Sequence, residues 1–270
     1  MKAAENTIRT ALVQMDIKWE DIEANLKKLD LWLQKIPAEI ELVILPEMFS
    51  TGFTMDIETL PKPAGLKSFE WLKDKAIKLN KILVGSILTE KEGKYYNRMY
   101  WMRPDGTFEY YDKRHLFHMG GEHKIMTAGK ERKIINHKGI KFMLQICYDL
   151  RFPVWSKNRY DKKADEYDYD VLIYIANWPE SRKEAYLNLL KARAIENQSS
   201  VIWVNRVGKD GKNIIHSGDS QYIDPKGKII EKAKAGMEEI IYIDIENKTV
   251  KNLRENFKVG LDWDDFNIKI

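Results

Sequence analysis

The sequence passes from a strand to a turn and a helix within KFMLQICYDLRFP, residues 141–153. Apolar side chains occupy every second position from Phe142 to Ile146, and this period of two is typical of a β-strand. The apolar run stops at Cys147. Pro153 follows at a position where it can open a helix, because the first helical residue needs no N–H partner. A buried strand that gives way to a turn and a helix predicts an α/β fold.

Cys147 is the single cysteine of the chain. It stands where a buried strand ends, a position at which a side chain becomes accessible to a substrate. The partial positive charge at a helix N-terminus favours a thiolate over a thiol, so we interpret Cys147 as a nucleophile. A lone cysteine is also often a small buried hydrophobic residue, and residues 141–153 alone leave both interpretations open.

The composition is that of an ordinary globular protein, with 44% hydrophobic and 32% charged residues. The net charge is only +4 and the eight Trp are scattered, so nothing indicates nucleic-acid binding. A single cysteine excludes an internal disulfide and fits a reducing compartment. The polar N-terminus lacks the apolar segment of a signal peptide, and no apolar run approaches the roughly 20 residues of a membrane span. We therefore expect a cytoplasmic protein that does not enter a membrane.

Strands and helices alternate along the first and third quarters of the chain. Strands are predicted at residues 7–15, 41–45, 82–88, 95–103, 108–112, 171–176, 201–205, 220–224, 228–231 and 240–245, and helices at residues 19–36, 66–79, 180–197 and 249–256. Several strands are continuous apolar runs, which indicates coverage on both faces. We find no linker and no repeat. The sequence predicts an α/β fold with mixed sheets in a single domain, residues 1–270.

Three apolar strands each end close to one residue that can take part in catalysis: Glu47, Lys113 and Cys147. Active sites of α/β proteins are usually assembled at strand ends. A thiolate can attack a carbonyl, a carboxylate can transfer protons, and an ammonium can stabilise an oxyanion. Taken singly, Glu47 fits a loop acid or a helix cap, and Lys113, which Arg114 follows, fits a solvated basic turn better than a catalytic role.

Three segments together resemble the signature motifs of the carbon–nitrogen hydrolase (nitrilase) superfamily. They are LPEM at residues 45–48, YDKRHLF at residues 111–117 and ICYDLRFP at residues 146–153. Further segments, ANWP at residues 176–179 and NRVGKDG at residues 205–211, are similar to the amidase branch of that family. The resemblance covers most of the chain, from residue 7 to about residue 245.

The resemblance implies a four-layer α-β-β-α sandwich with two mixed sheets, paired as a homodimer or a higher homo-oligomer. It also implies Glu47 as general base, Lys113 as oxyanion donor and Cys147 as nucleophile. The backbone N–H of Tyr148 would complete the oxyanion site, and Glu122 best matches a second acid that supports the lysine. The resemblance implies neither a cofactor nor a metal.

Within the superfamily, residues 147–152 and 177–179 look most like those of ω-amidases, which hydrolyse the terminal amide of 2-oxoglutaramate or 2-oxosuccinamate. Such a small-molecule substrate carries a carboxylate, for which Arg151 is the first candidate partner and Arg182 the second. Trp178 is a candidate pocket wall and His118 a candidate rim residue. The alternatives are a hydrolase of N-carbamoyl amines, other aliphatic amides or nitriles, and a non-catalytic scaffold that retained the fold.

Overall fold

Two six-stranded sheets form the body of the protein. The computed structural model describes residues 7–269 of the chain. In that range the strands are β1 (Thr7–Gln14), β2 (Leu42–Ile44), β3 (Ile82–Lys91), β4 (Lys94–Met102), β5 (Phe108–Asp112), β6 (Ile134–His137), β7 (Ile140–Ile146), β8 (Tyr160–Asp161), β9 (Glu166–Tyr167), β10 (Val171–Ala176), β11 (Ser200–Asn205), β12 (Val207–Lys209), β13 (Ile215–Ser217), β14 (Gln221–Ile223), β15 (Ile229–Lys232) and β16 (Glu239–Glu246). The α-helices are α1 (Ile22–Leu33), α2 (Leu66–Leu79), α3 (Glu122–Ile125), α4 (Pro153–Ser156), α5 (Lys183–Asn197) and α6 (Asn247–Asn256), with 3₁₀ helices at Ile57–Thr59, His118–Gly120, Cys147–Arg151, Glu180–Arg182 and Val259–Asp262.

Both sheets are mixed. The first has the strand order β16-β1-β2-β3-β4-β5, and the second has the order β15-β14-β11-β10-β7-β6. Strands β1, β2 and β3 run parallel, as do β7, β10 and β11, whereas the outer strands of each sheet pair antiparallel. Each parallel core therefore directs its carboxyl-terminal strand ends to one edge, where polar loops gather.

Alternating side chains bury both faces of each sheet. Leu12 of β1 and Ile173 of β10 belong to one apolar core between the two sheets. Ala11 and Val13 point the other way, into a second core under α1 and α2, and Leu172 packs on the far side of the second sheet with α5. The layers are thus α-β-β-α, as predicted. A fully buried Leu or Ile contributes about 2 kcal/mol by leaving water, so sheet burial on both faces is the main source of stability.

Helix ends follow local capping chemistry. The prediction at residues 19–36 is longer than α1, because the Asp21 carboxylate accepts from the Ala24 N–H at 3.0 Å and caps the helix there. Helix α2 has the predicted bounds and ends at Asn80, whose left-handed backbone (φ 52°) returns an N–H to the last turn. Pro153 is the first residue of α4, as predicted, but α4 is only four residues long.

The sequence patterns missed the short strands β6, β8, β9, β12 and β13. They have two to four residues each, too few for a period of two to be recognisable. Strands β12 and β13 form a separate two-stranded hairpin. Among the helices of residues 7–269, none combines the length and apolar character that a bilayer-spanning helix needs.

Candidate active site

A cavity of about 290 Å³ opens where strands of both sheets end. Strands β2, β5, β7 and β10 are followed there by Glu47, Lys113, Cys147 and Asn177. The cavity is further lined by Phe53, Phe117, Met119, Gly120, Tyr148, Arg151, Trp178, Pro179, Arg182, Asp210, Lys212, Ile214 and His216. The fold therefore brings together the three strand-end residues that the sequence singled out. We take this cavity as the candidate active site.

The Lys113 ammonium lies between two buried carboxylates. Its Nζ is 2.9 Å from Glu47 Oε1 and 3.0 Å from Glu122 Oε2, and the exposed fractions of the three residues are 1%, 0% and 0%. Burial acts to lower the pKa of Lys113, but the Glu122 and Glu47 carboxylates outweigh it and raise that pKa. Burial raises the pKa of Glu122; the Lys113 ammonium opposes this rise and the Glu47 carboxylate adds to it. The ammonium therefore stays protonated at neutral pH.

Two asparagines orient the Glu47 carboxylate. Asn97 Nδ2 donates to Glu47 Oε1 at 2.8 Å and reaches Glu122 Oε1 at 3.3 Å. The Asn177 backbone N–H donates to Glu47 Oε2 at 2.8 Å, and its Nδ2 donates to the Glu47 carbonyl at 2.5 Å. Together with the Lys113 ammonium, these donors hold both carboxylate oxygens, so Glu47 has a defined position next to the cavity.

Cys147 occupies a sharp turn at the end of β7. Its φ of 45° lies in the left-handed region, which costs a residue with a Cβ about 1 kcal/mol or more and recurs at nucleophiles on strand-to-helix turns. The side chain is partly buried and lines the cavity. Tyr148 is the second residue of the 3₁₀ helix that Cys147 begins, and an N–H at that position has no partner within the helix. That N–H is thus available to an oxyanion.

The surroundings of Cys147 favour the protonated thiol, in contrast to the thiolate that the sequence predicted. Burial raises the pKa of Cys147, and the Glu47 carboxylate raises it further against the opposing Lys113 ammonium. Helix α4 begins only at Pro153 and has four residues, and the charge of a helix end acts within its first turn. The proton must therefore leave during attack, and Glu47 is the neighbouring group that can take it.

Asp149 ties the nucleophile turn to the segment that carries Lys113. Its Oδ2 accepts from the Ile146 N–H at 3.0 Å and from the Tyr111 hydroxyl at 2.8 Å. Its Oδ1 accepts from the His115 N–H at 2.9 Å and lies 2.8 Å from His115 Nδ1. One fully buried carboxylate thus holds the end of β7 and the residues on either side of Lys113 in a fixed relation.

Two arginines reach the mouth of the cavity, each over an aromatic ring. The Arg151 guanidinium lies 5.1 Å from the ring centroid of Trp178, which is 3% exposed. The Arg182 guanidinium lies 5.1 Å from the ring centroid of Phe117. Among residues 7–269, no carboxylate forms an ion pair with either arginine. The predicted candidates Arg151, Trp178 and Arg182 therefore all lie at the cavity.

His118 is not among the residues that line the cavity. It is exposed, and its imidazole stacks on His123 with ring centroids 3.9 Å apart. Its neighbours Met119 and Gly120 line the cavity instead. In the described part of the chain, no group of three or more His, Cys, Asp and Glu side chains is placed to hold a metal ion.

Sequence reasoning missed several residues of the site. Asn97 lies in β4 beside Arg98, and a polar residue at that place in a strand does not by itself indicate a contact with Glu47. Phe53, whose ring centroid is 4.9 Å from Lys113 Nζ, gave no recognisable signal. The hairpin of β12 and β13 was missed because its strands are only three residues long.

Comparison with known proteins adds to this geometry. The family model described as carbon-nitrogen hydrolase matches residues 9–255. The chain belongs to the carbon–nitrogen hydrolase family. This hydrolase acts on carbon–nitrogen bonds other than peptide bonds, and the predicted family is confirmed.

The carbon–nitrogen hydrolase has relatives of similar length. It is 38% identical over 261 residues to the omega-amidase YafV of Yersinia enterocolitica. The matched residues are 97% of this chain and 98% of the relative. It is 34% identical over 251 residues to the 2-oxoglutaramate amidase of Bacillus subtilis, at 92% and 94% coverage. The crystal structure of XC1258 from Xanthomonas campestris, a CN-hydrolase superfamily protein with an arsenic adduct in its active site, superposes with a TM-score of 0.92 at 37% identity, covering 98% of this chain and all of the other.

Proposed function

We propose that the protein is an ω-amidase that hydrolyses the terminal amide of 2-oxoglutaramate or 2-oxosuccinamate to the oxo diacid and ammonia. The observation that carries this proposal is the contact of Glu47 and Lys113 beside Cys147, in a cavity whose mouth holds two arginines without acidic partners. The similarity to an omega-amidase and to a 2-oxoglutaramate amidase supports the same substrates.

Acylation begins with Cys147 and Glu47. The Glu47 carboxylate takes the thiol proton as sulfur adds to the amide carbonyl, so the charge moves from the carboxylate to the carbonyl oxygen. The Lys113 ammonium and the Tyr148 N–H stabilise the resulting tetrahedral oxyanion. Collapse of this intermediate transfers the proton from Glu47 to the departing nitrogen, which leaves ammonia and a thioester on Cys147.

Deacylation repeats the proton transfer with water. Glu47 removes a proton from a water molecule that attacks the thioester, and the same two donors stabilise the second oxyanion. When that intermediate collapses, sulfur leaves and takes the proton back from Glu47, which restores the resting thiol. In this scheme Glu122 keeps Lys113 oriented, since the ammonium lies between both carboxylates.

Arg151 and Arg182 are the groups we propose for the substrate carboxylate. Each guanidinium is supported by an aromatic ring, which fixes its plane while its donors remain free. Guanidinium binds carboxylate through two parallel hydrogen bonds, a stronger geometry than a single ammonium offers. Trp178 forms the adjoining wall. His118 has no place in this scheme, because it lies outside the cavity lining.

An ammonia-release assay tests the proposal. We expect the highest kcat/KM with 2-oxoglutaramate or 2-oxosuccinamate, compared with an N-carbamoyl amine, a simple aliphatic amide and an aliphatic nitrile. Cys147→Ala should abolish ammonia release. Its mass spectrum should lack the acyl adduct that trapping reveals on the wild-type enzyme. Turnover of the carbamoyl amine or the nitrile without turnover of either oxo amide would replace the proposal by that alternative.

We also propose that the chain is a single domain, acts as a homodimer and resides in the cytoplasm. The family model spans residues 9–255 without interruption, which supports one domain. Val154 and Ile195, both 55% exposed, are apolar side chains on α4 and α5 that a partner subunit would cover. A reducing compartment suits an enzyme whose nucleophile is a free thiol.

A further inference from the structure

The hairpin of β12 and β13 forms one side of the catalytic cavity. Every second residue of its turn and second strand lines that cavity, namely Asp210, Lys212, Ile214 and His216. Asp210, Lys212 and Ile214 belong to the turn between the two strands, and His216 belongs to β13. This segment is far in sequence from Glu47, Lys113 and Cys147, yet it faces the same space.

The hairpin is held rigidly against the first sheet. Arg206, which is fully buried, donates through Nη2 to Asp16 Oδ1 at 2.8 Å and to the Lys209 carbonyl at 3.0 Å. Gly211 packs so closely on Trp19 that a Cβ there would lie 2.5 Å from the indole. The backbone of the hairpin therefore has a defined position beside the cavity, and Lys212 extends from it as an exposed side chain at the cavity edge.

Lys212 supplies the charge that the hairpin presents to the cavity. Asp210 Oδ1 accepts from the backbone N–H groups of Lys212 at 2.8 Å and Ile214 at 2.9 Å, so this carboxylate is engaged in the turn. Burial, with the Arg206 charge adding to it, lowers the pKa of His216 to about 4, so its imidazole is neutral at neutral pH. In the range 7–269 the Lys212 ammonium has no carboxylate partner.

Lys212, Arg151 and Arg182 come from three separate segments and line one cavity. The carboxylates that line it are Glu47, which is paired with Lys113, and Asp210, which keeps its negative charge while it accepts from the N–H groups of the turn, so three cations at the mouth face one carboxylate. The mouth therefore carries an excess of positive charge. Such a field attracts an anionic ligand and repels a ligand that adds a second ammonium.

We infer that Lys212 is a specificity-determining residue, which acts with Arg151 and Arg182 to select amides that bear a carboxylate and no ammonium. This inference rests on the proposed function and extends it to a discrimination. A 2-oxo acid amide has net charge −1, whereas L-glutamine adds an α-ammonium that the three cations repel. Specificity then comes from an unfavourable contact with the wrong substrate as well as a favourable one with the right substrate.

Steady-state kinetics of Lys212→Met test the inference with 2-oxoglutaramate, L-glutamine and uncharged butyramide. We expect kcat/KM for 2-oxoglutaramate to fall about fivefold, the effect of one partly solvated ion pair, through a higher KM at unchanged kcat. Butyramide turnover should not change. Lys212→Glu should lower the preference for 2-oxoglutaramate over L-glutamine by roughly tenfold or more, because it reverses the charge.

Lys209→Met is the matched control. Lys209 is an exposed lysine of the same hairpin that does not line the cavity, so its replacement should leave all three substrates unaffected. If Lys212→Met leaves the ratio of kcat/KM for 2-oxoglutaramate to kcat/KM for butyramide unchanged, or lowers both values equally, the inference is overturned while the proposed function stands. A wild-type enzyme that hydrolyses butyramide but not 2-oxoglutaramate would overturn the proposed function and the inference with it.

Discussion

Replacement of Lys113 by Met is the most informative single change in the site. Methionine keeps most of the side-chain volume and removes the ammonium that contacts Glu47 at 2.9 Å and Glu122 at 3.0 Å. The variant therefore separates the charge of Lys113 from its packing.

Two consequences follow from this loss. An oxyanion donor is removed, which costs about 3 kcal/mol of transition-state stabilisation, or roughly a hundredfold or more in kcat. Glu47 and Glu122 are also left buried without their cation, and breaking such a pair costs about 3–5 kcal/mol of folding free energy. Two close carboxylates do not both ionise readily, so the pair of Glu47 and Glu122 should hold one proton that it lacks in the wild type, and Glu47 is then less often ionised and less often able to accept the thiol proton.

The assay combines ammonia release with calorimetry. For Lys113→Met we expect kcat to fall by at least about a hundredfold and the Tm to fall by roughly 6–20 °C. A second replacement, Glu122→Gln, should restore much of the Tm because it removes the excess negative charge, but it should not restore kcat. Lys124→Met is the control, since Lys124 is exposed on the same short helix as Glu122.

A folded Lys113→Met protein with kcat within about threefold of wild type would refute the assignment of Lys113 as oxyanion donor. Recovery of kcat in the double variant would equally refute it, because the loss would then be electrostatic destabilisation of the site and not loss of a donor.

Three further predictions concern the nucleophile, its support and the assembly. Burial and the Glu47 carboxylate raise the pKa of Cys147. The difference in ultraviolet absorbance between wild type and Cys147→Ser should therefore show no thiolate at neutral pH. A difference equal to the absorbance of one thiolate per chain would contradict the raised pKa. Asp149→Asn leaves at least one of the donors around Asp149 unsatisfied, so the free energy of unfolding should fall by about 1–3 kcal/mol and kcat should fall with it; denaturant unfolding with an unchanged midpoint would exclude this positioning role. Val154→Lys should convert the proposed dimer to monomers in analytical ultracentrifugation, and an unchanged sedimentation coefficient would remove α4 from the interface.

The positions of the three predicted catalytic residues could be located because each follows a strand closely. The sequence pattern shows polar residues at three strand ends, namely Glu47, Lys113 and Cys147. The strand ends of an α/β protein converge. Glu122 is different. It lies in residues 115–133, which have no clear period, and only the family resemblance singled it out before the structure placed it 3.0 Å from Lys113.

Asn97 and Asp149 were not predicted as site residues, because their roles consist of contacts between distant segments. Asn97 binds a carboxylate 50 positions away, and Asp149 joins β7 to residues 34 and 38 positions earlier. No local pattern encodes such a pairing. The ionisation of Cys147 was predicted in the wrong direction for the same reason, since it depends on the distance to Glu47 and on burial.

By itself, the sequence determined which faces of strands and helices are buried and which reactive residues follow the strands, whereas the four layers were implied by the family resemblance. Apolar periods of two and of three to four specified which faces of strands and helices are buried, since burial of apolar surface is the dominant favourable contribution to folding, and the motif from residue 141 to residue 153 placed a thiol at a turn. The tertiary structure alone decided the protonation of that thiol and the charge of the cavity mouth. Both depend on electrostatic interactions between groups remote in sequence, whose strength is set by distance and burial; the approach of Lys212 to Arg151 and Arg182 exists only in the folded chain.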